Sequence, residues 1–298
     1  MKDLTFDEYK ELFENHLTDF IPEIDQKSIT LYESMKYSIS AGGKRIRPIL
    51  LMAACDFCGG NIEEALPYAC AIEYIHTYSL IHDDLPCMDD DDLRRGLPTN
   101  HKIYGEAVAT LAGDGLQSAA YEVMLKDMLL YFDNPDALKR RVDAAYEIAK
   151  CSGVRGMVAG QIADMEAENR SCSAEMLDYI HITKTADLII ASVRAGARLG
   201  NCTTKELNDL TNYAENLGLA FQVCDDILDI EGNEDDMGKK AGMDAENNKA
   251  TYPAVHGIEE SKQRLKELTD VAINSLSDYY DNAELFVKLA EQLAVRSK

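Results

Sequence analysis

Between Pro135 and Pro253 the chain carries no proline, and its apolar residues recur there at mixed spacings of three and four. Segments 172 to 200 and 205 to 230 therefore read as long helices, because nothing in them interrupts the backbone ladder and one stripe can face a core. Alternating strand patterns bounded by Asn-Gly or Asp-Gly are missing, the GDGL at 113 to 116 being the nearest, so no sheet is expected. Punctuation at Ala41-Gly42-Gly43, Cys58 to Asn61, Gly96 to Asn100, Gly113 to Gly115, Asp133 to Asp136 and Gly153 to Gly160 predicts roughly ten helices with short connections. No Ser/Pro-rich or Gly-rich linker divides the 298 residues and no long period repeats, so the expectation is one all-α domain over residues 1–298, a large helical bundle.

The formal charge of −23 argues against nucleic acid or an anionic membrane surface as the main partner, since both would be repelled. The acidic, amphipathic MKDLTFDEYKEL start lacks the apolar centre of a signal peptide, and no apolar run reaches the length of a membrane span. The expectation is a soluble, cytoplasmic protein. Eight cysteines lie mostly singly in apolar helical pattern. Cys55 and Cys58 form a CxxC, but no second ligand pair or preceding strand supports zinc or redox chemistry, so they are expected as ordinary thiols in a reducing compartment.

Two apolar helical stretches, YSLIHDDLPCMD and AFQVCDDILD, each end in a pair of aspartates. In the second, Gln222, Asp225 and Asp229 fall at i, i+3 and i+7 on one stripe, while Phe221, Val223, Ile227 and Leu228 cover the rest of the helix. A helix apolar nearly all round is buried, so these acids should face a cavity. Two carboxylates about 4 Å apart repel by roughly 4 kcal/mol at an effective dielectric of about 20, and a divalent cation is the usual remedy.

Residues 81 to 92, IHDDLPCMDDDD, hold six aspartates in twelve positions. A helix from about Ile62 to His82 puts His76, Ser79 or Leu80, and Asp83 on one face. On an ideal helix Asp89 would lie about 9 Å further on and roughly 120° away from Asp83, too far round to share a metal. Pro86 should kink or bulge the chain between them, taking up two residues so that the six-residue spacing behaves like a four-residue one and Asp89 returns to the face of Asp83.

Oxygen ligands without His or Cys fit Mg²⁺, which keeps several waters and bridges carboxylates to phosphate oxygens. A phosphate-bearing ligand is implied, and cations stand ready for it at Gly42-Gly43-Lys44-Arg45-Ile46-Arg47, Arg94-Arg95, Lys184 and Lys239-Lys240. No Walker A sequence is present, and the glycines of GMVAGQ and GGKR do not make a nucleotide site.

Taken together, HDDLPCMDDDDLRRG, GGKRIRP, GQIAD, KTA at 184 to 186, FQVCDDILD, and GKKAGMD followed by KATYP resemble the short-chain trans-isoprenyl diphosphate synthases, most closely the bacterial farnesyl diphosphate synthases, over about residues 42 to 253. The resemblance implies the isoprenoid synthase fold, helices around a central cavity, in a homodimer that joins isopentenyl diphosphate head to tail to dimethylallyl or geranyl diphosphate. It implies that Asp83, Asp89 and Asp225 hold three Mg²⁺ against the allylic diphosphate, which Arg94, Lys184 and Lys239 also contact. Gly43, Lys44, Arg47, His76 and Arg95 resemble the isopentenyl diphosphate pocket, and Thr185 with Gln222 and the Lys184 segment resemble the oxygens that stabilise the allylic cation. Pyrophosphate itself is the implied base. The position five residues before the first aspartate, Tyr78, followed by Ser79, resembles that of farnesyl-length enzymes and implies a C15 product.

Blander accounts of the same residues compete with this resemblance. Solvated helix ends would explain either aspartate cluster alone, but not the buried flanks and the basic motifs beside them. His76 could be an ordinary core histidine, although it lies two turns below Asp83 on the same face; His82 keeps the structural role, and Arg45 could be a surface cation. Gln161 and Asp164 could brace the site or form a buried polar network, and Asp84, Asp226 and Asp229 read as partners behind the ligands. Arg296 and Lys298 could fold over substrate or fray. Competing functions are geranylgeranyl diphosphate synthase, a class I terpene cyclase, a non-catalytic subunit, and a calcium-binding helical protein, whose loop NEDDMG would fit poorly.

Overall fold

A computed structural model describes residues 4–168, 172–231 and 251–294. The fold is all-α. Helices α1 (Phe6–His16), α2 (Ile29–Ile39), α3 (Ile46–Phe57), α4 (Ile62–Asp83), α5 (Asn100–Tyr104), α6 (Glu106–Leu129) and α7 (Pro135–Ser152) are followed by α8 (Met157–Ala167), α9 (Ala174–Ile180), a π-helical turn (His181–Ala186), α10 (Asp187–Leu199), α11 (Thr204–Glu231), α12 (Tyr252–His256), α13 (Ile258–Ser275) and α14 (Glu284–Ala294). Among the described residues no helix is long and apolar enough to cross a membrane. All eight cysteines are free, and burial pushes the Cys55 thiol up to about 12.

The contacts divide the chain into two compact units, one formed by the chain up to Ala145 with Arg198–Asn201, the other by Tyr146–Ala197 with the chain from Cys202 onward. In the first unit α4 is the central element. It is buried almost all round, as its sequence predicts, and packs against α3 and along α6. The expected break at Gly113 to Gly115 is absent, since α6 runs straight through both glycines. Their role is close approach: a Cβ on Gly113 would lie 2.1 Å from His82 Nε2 on α4, and one on Gly115 would meet the Met35 sulfur of α2 at 3.0 Å. A two-stranded hairpin, β1 (Leu93–Arg94) with β2 (Leu97–Pro98), departs from the strand-free expectation. Its tight turn has positive φ at both Arg95 (56°) and Gly96 (77°), the type I′ geometry that suits strand twist.

In the second unit α11 is the longest element and packs against α13, α14, α12 and the π turn. The two long helices expected over 172 to 200 and 205 to 230 are α9 to α10, made continuous by the π turn, and α11. Small residues again mark a close contact: a Cβ on Gly218 would stand 2.6 Å from the Ala186 Cβ.

Candidate active site

The first aspartate segment begins where α4 stops. Pro86 follows the last helical residue: the regular helix ends at Asp83, and residues 84 to 89 follow as turns. A proline offers no N–H to the ladder, so the carbonyls of the last helical turn find other donors. Leu85 N–H donates to the His82 carbonyl (3.2 Å), and Asp89 N–H reaches back to the Asp83 carbonyl (2.8 Å). Asp90 N–H closes on the Leu85 carbonyl (3.1 Å) with Asp90 itself in the left-handed region at φ 51°. This six-residue closure seats Asp89 directly on the end of α4 beside Asp83.

Beneath them Asp84 is 3% exposed, and Arg94 forks onto it: Nε donates to Oδ1 at 2.9 Å and Nη2 makes a second short bond. Burial pushes the Asp84 carboxyl above the ordinary range, against the pull of Arg94. Arg94 Nη2 also meets Asp91 Oδ2 at 3.0 Å. The next residue points elsewhere. Arg95 Nη1 donates to the Gly42 carbonyl, and a Cβ on Gly43, whose φ is +128°, would lie 2.7 Å from the Arg95 guanidinium carbon. Gly43 is thus the seat on which Arg95 rests.

Arg47 Nη1 lies 3.4 Å from His76 Nε2, and His76 is held well below the ordinary histidine range by burial and by Arg47, Arg95, Arg45 and Arg94 in turn. Arg45 and Arg94 are each tied to two carboxylates, so the positive character beside His76 rests on Arg47 and Arg95, in a chain of net charge −23. Lys44 is exposed beside them. Arg45 is no surface cation: it is 3% exposed, donates to Glu73 (2.6 Å), Glu14 (2.8 Å) and the Ile39 carbonyl (2.7 Å), and sits at φ 55° at the start of α3. It anchors the glycine-lysine loop. Ser79 spends its hydroxyl on the His76 carbonyl (2.9 Å). Tyr78, 6% exposed, lies edge-on to His82 (5.7 Å between rings) and faces Gln117 and Tyr121 of α6. His82 keeps its structural role through the Thr110 carbonyl at 3.0 Å.

The second unit supplies its own cluster. Lys184 Nζ donates to Asp164 Oδ2 (2.6 Å), Thr185 Oγ1 donates to Gln222 Oε1 (2.9 Å), and Gln222 Nε2 donates to Asp226 Oδ1 (2.8 Å). Asp225 is half-buried, whereas Asp226 and Asp229 are each 3% exposed, so the stripe read from the sequence presents Asp225 outward and keeps its neighbours behind it. Asp164 is more than a wall residue, since it pairs with Lys184. Lys239, with Lys240, Met243, Arg296 and Lys298, lies outside the described residues.

No three His, Cys, Asp or Glu side chains among the described residues could together hold an ion. A Mg²⁺ ion needs few carboxylates, because waters and phosphate oxygens complete its shell.

The polyprenyl synthetase family model matches residues 28–285. The chain belongs to the polyprenyl synthetase family. It is a prenyltransferase of isoprenoid biosynthesis and falls among the short-chain members. It is 41% identical over 287 residues to farnesyl diphosphate synthase of Bacillus subtilis, covering 96% of this chain and 95% of the relative. It is 48% identical over 268 residues to a chloroplastic geranylgeranyl pyrophosphate synthase of Capsicum annuum, covering 89% and 71%. Among solved structures, a Helicobacter pylori geranyltransferase complexed with magnesium and isoprenyl diphosphate superposes with a TM-score of 0.82 at 30% identity, over 97% of this chain and 94% of the other.

Proposed function

We propose that this polyprenyl synthetase is a Mg²⁺-dependent farnesyl diphosphate synthase, condensing isopentenyl diphosphate first with dimethylallyl and then with geranyl diphosphate. The observation that carries the reading is the group of guanidiniums around neutral His76, adjoining the acids at the end of α4. Cations of that kind recognise a diphosphate, and the neighbouring carboxylates suit a metal that grips a second one. Asp83, Asp89 and Asp225 would hold Mg²⁺, three ions in all, and the metal would neutralise charge on the departing pyrophosphate.

Arg94, Lys184 and Lys239 would contact the allylic diphosphate, and Gly43, Lys44, Arg47, His76 and Arg95 would form the isopentenyl diphosphate pocket. In the reaction the allylic C–O bond breaks and its electron pair leaves with pyrophosphate. The isopentenyl double bond then attacks the allylic cation, and the new cation gives up a proton to pyrophosphate. Preorganised cations serve this chemistry because they stabilise charge as it develops. Thr185 and Gln222 present oxygens to the cation. Tyr78, buried about one and a half turns below Asp83 with Ser79 beside it, would form the floor that stops the chain at C15. The similarity to plant geranylgeranyl synthases favours a second reading, a C20 product, should another residue form the floor.

The whole chain would work as one domain, as a cytoplasmic homodimer without nucleic-acid or stable membrane partners. Leu125 and Leu129 on α6 and Leu130 directly after it, 59%, 70% and 78% exposed, offer a second copy an apolar face. The test is incubation with isopentenyl diphosphate and either allylic substrate, with and without Mg²⁺, followed by mass analysis of the dephosphorylated products. A Mg²⁺-dependent C15 alcohol is expected. A C20 alcohol would select the second reading, and absence of elongation would refute both.

A further inference from the structure

The carboxylate of Asp226 touches no substrate in the proposed reaction, yet donors from two elements converge on it and a histidine from a third stands close by. Gln222 Nε2 donates to Oδ1 (2.8 Å), the backbone N–H of Tyr252 donates to Oδ2 (2.7 Å), and His181 Nε2 lies 3.4 Å from the same Oδ2. His181 is 4% exposed, and its ring stacks on Tyr252, 6.3 Å between centroids at 27°.

These contacts belong to a register between the π turn and α11. Gly218, Gln222 and Asp226 succeed one another at four-residue steps and so share one helix face. Ala186 packs on the first, Thr185 bonds the second and His181 meets the third. The i→i+5 bonding of a π turn widens it, which keeps residues 181, 185 and 186 on one side of the turn, opposite that face. From another side α8 presses on the turn, since a Cβ on Gly160 would lie 2.3 Å from Lys184 N, and Asp164, four residues on, takes the Lys184 ammonium.

The register also fixes the sense of each hydrogen bond. A carboxylate only accepts, so the side of the Gln222 amide that meets Asp226 must be Nε2, which leaves Oε1 for Thr185. The Thr185 hydroxyl then has to donate to Gln222, and its own lone pairs are left over. We propose that His181 and Asp226 are positioning residues that lock Gln222 and Thr185 in this one sense, so that oxygen lone pairs rather than N–H or O–H dipoles are offered to the allylic cation. The inference rests on the prenyl transfer proposed above.

The test compares His181→Phe, which keeps an aromatic ring but loses the ring nitrogen beside Asp226, with Asp226→Asn and the double variant, in the full chain with Mg²⁺. For groups that orient those doing the chemistry, a loss of roughly tenfold to hundredfold in kcat is expected. KM for both diphosphates should hold, the double variant should lose no more than the worse single one, and a larger share of geranyl diphosphate should be lost to water as the C10 alcohol. His181→Asn, which supplies a donor, should recover part of the rate. Unchanged kcat and alcohol share in folded His181→Phe would overturn the proposal, as would losses that simply add. Amide hydrogen exchange at Tyr252 in the wild-type protein provides a check independent of activity and of whether a variant folds: strong protection is expected, and free exchange would overturn the proposal. If the wild-type protein itself fails to elongate, the prenyl transfer reading falls instead.

Discussion

Replacing Arg45 with methionine would leave the Glu73 carboxylate, 1% exposed, without its 2.6 Å partner. Removing one member of a buried pair costs about 3–5 kcal/mol, because the survivor is an uncompensated charge. Arg45→Met should therefore lower the denaturation midpoint sharply, and adding Glu73→Leu should restore most of it; an Arg45→Met protein as stable as the parent would show that the pair is dispensable. Asp187 behaves in the opposite way. Burial pushes its carboxyl from 3.8 up to about 6, opposed by Lys150 and helped by Glu215. Between those values the folded chain binds more protons than the unfolded one, so stability falls as pH rises from about 4 to about 6, and the deficit persists above. Asp187→Asn should stabilise the protein at about pH 8 by up to about 2 kcal/mol and give no gain near pH 4. A gain independent of pH would mean that packing, not ionisation, is responsible. At the proposed product floor, Tyr78→Ala should lengthen the product, and an unchanged chain length would place the floor elsewhere.

The end of α4 is set by its neighbour as much as by its own sequence. Gly113→Ala would drive a methyl group into His82 and displace the helix end that carries Asp83, so we expect a loss of about 1–3 kcal/mol together with reduced turnover. Full activity with only a lowered midpoint would show that the helix end does not move. The sequence revealed the length of α4 and the partnership of its acids, because burial all round and like-charge repulsion are local properties. It misplaced Gly113 as a break, since its glycine is required by a side chain on another helix. The chain bulge expected at Pro86 takes the form of a stop to the regular helix, with the Asp89 N–H reaching back six residues to the Asp83 carbonyl in place of the usual four. His181 carried no signal at all, being one histidine in an apolar stretch until the fold sets Asp226 beside it.

Across the whole molecule, 53 acids stand against 30 lysines and arginines, so cations are scarce and their placement matters more than their number. An acidic chain that binds anionic substrates should depend strictly on divalent metal. EDTA is expected to abolish elongation and added Mg²⁺ to restore it, with helix content unchanged in both; metal-free elongation would remove the metal from the reaction. The hairpin distributes two of the cations. Because Arg94 closes β1 and Arg95 opens the left-handed turn, the two neighbours point apart: Arg94 goes to the acids of Asp84 and Asp91, and Arg95 goes to the glycine loop. The turn therefore works as a sorter, and its reading frame carries the information: a one-residue slip would exchange the two addresses without changing the composition of the site. For that reason the length of this short turn should tolerate change far less than its exposure would suggest.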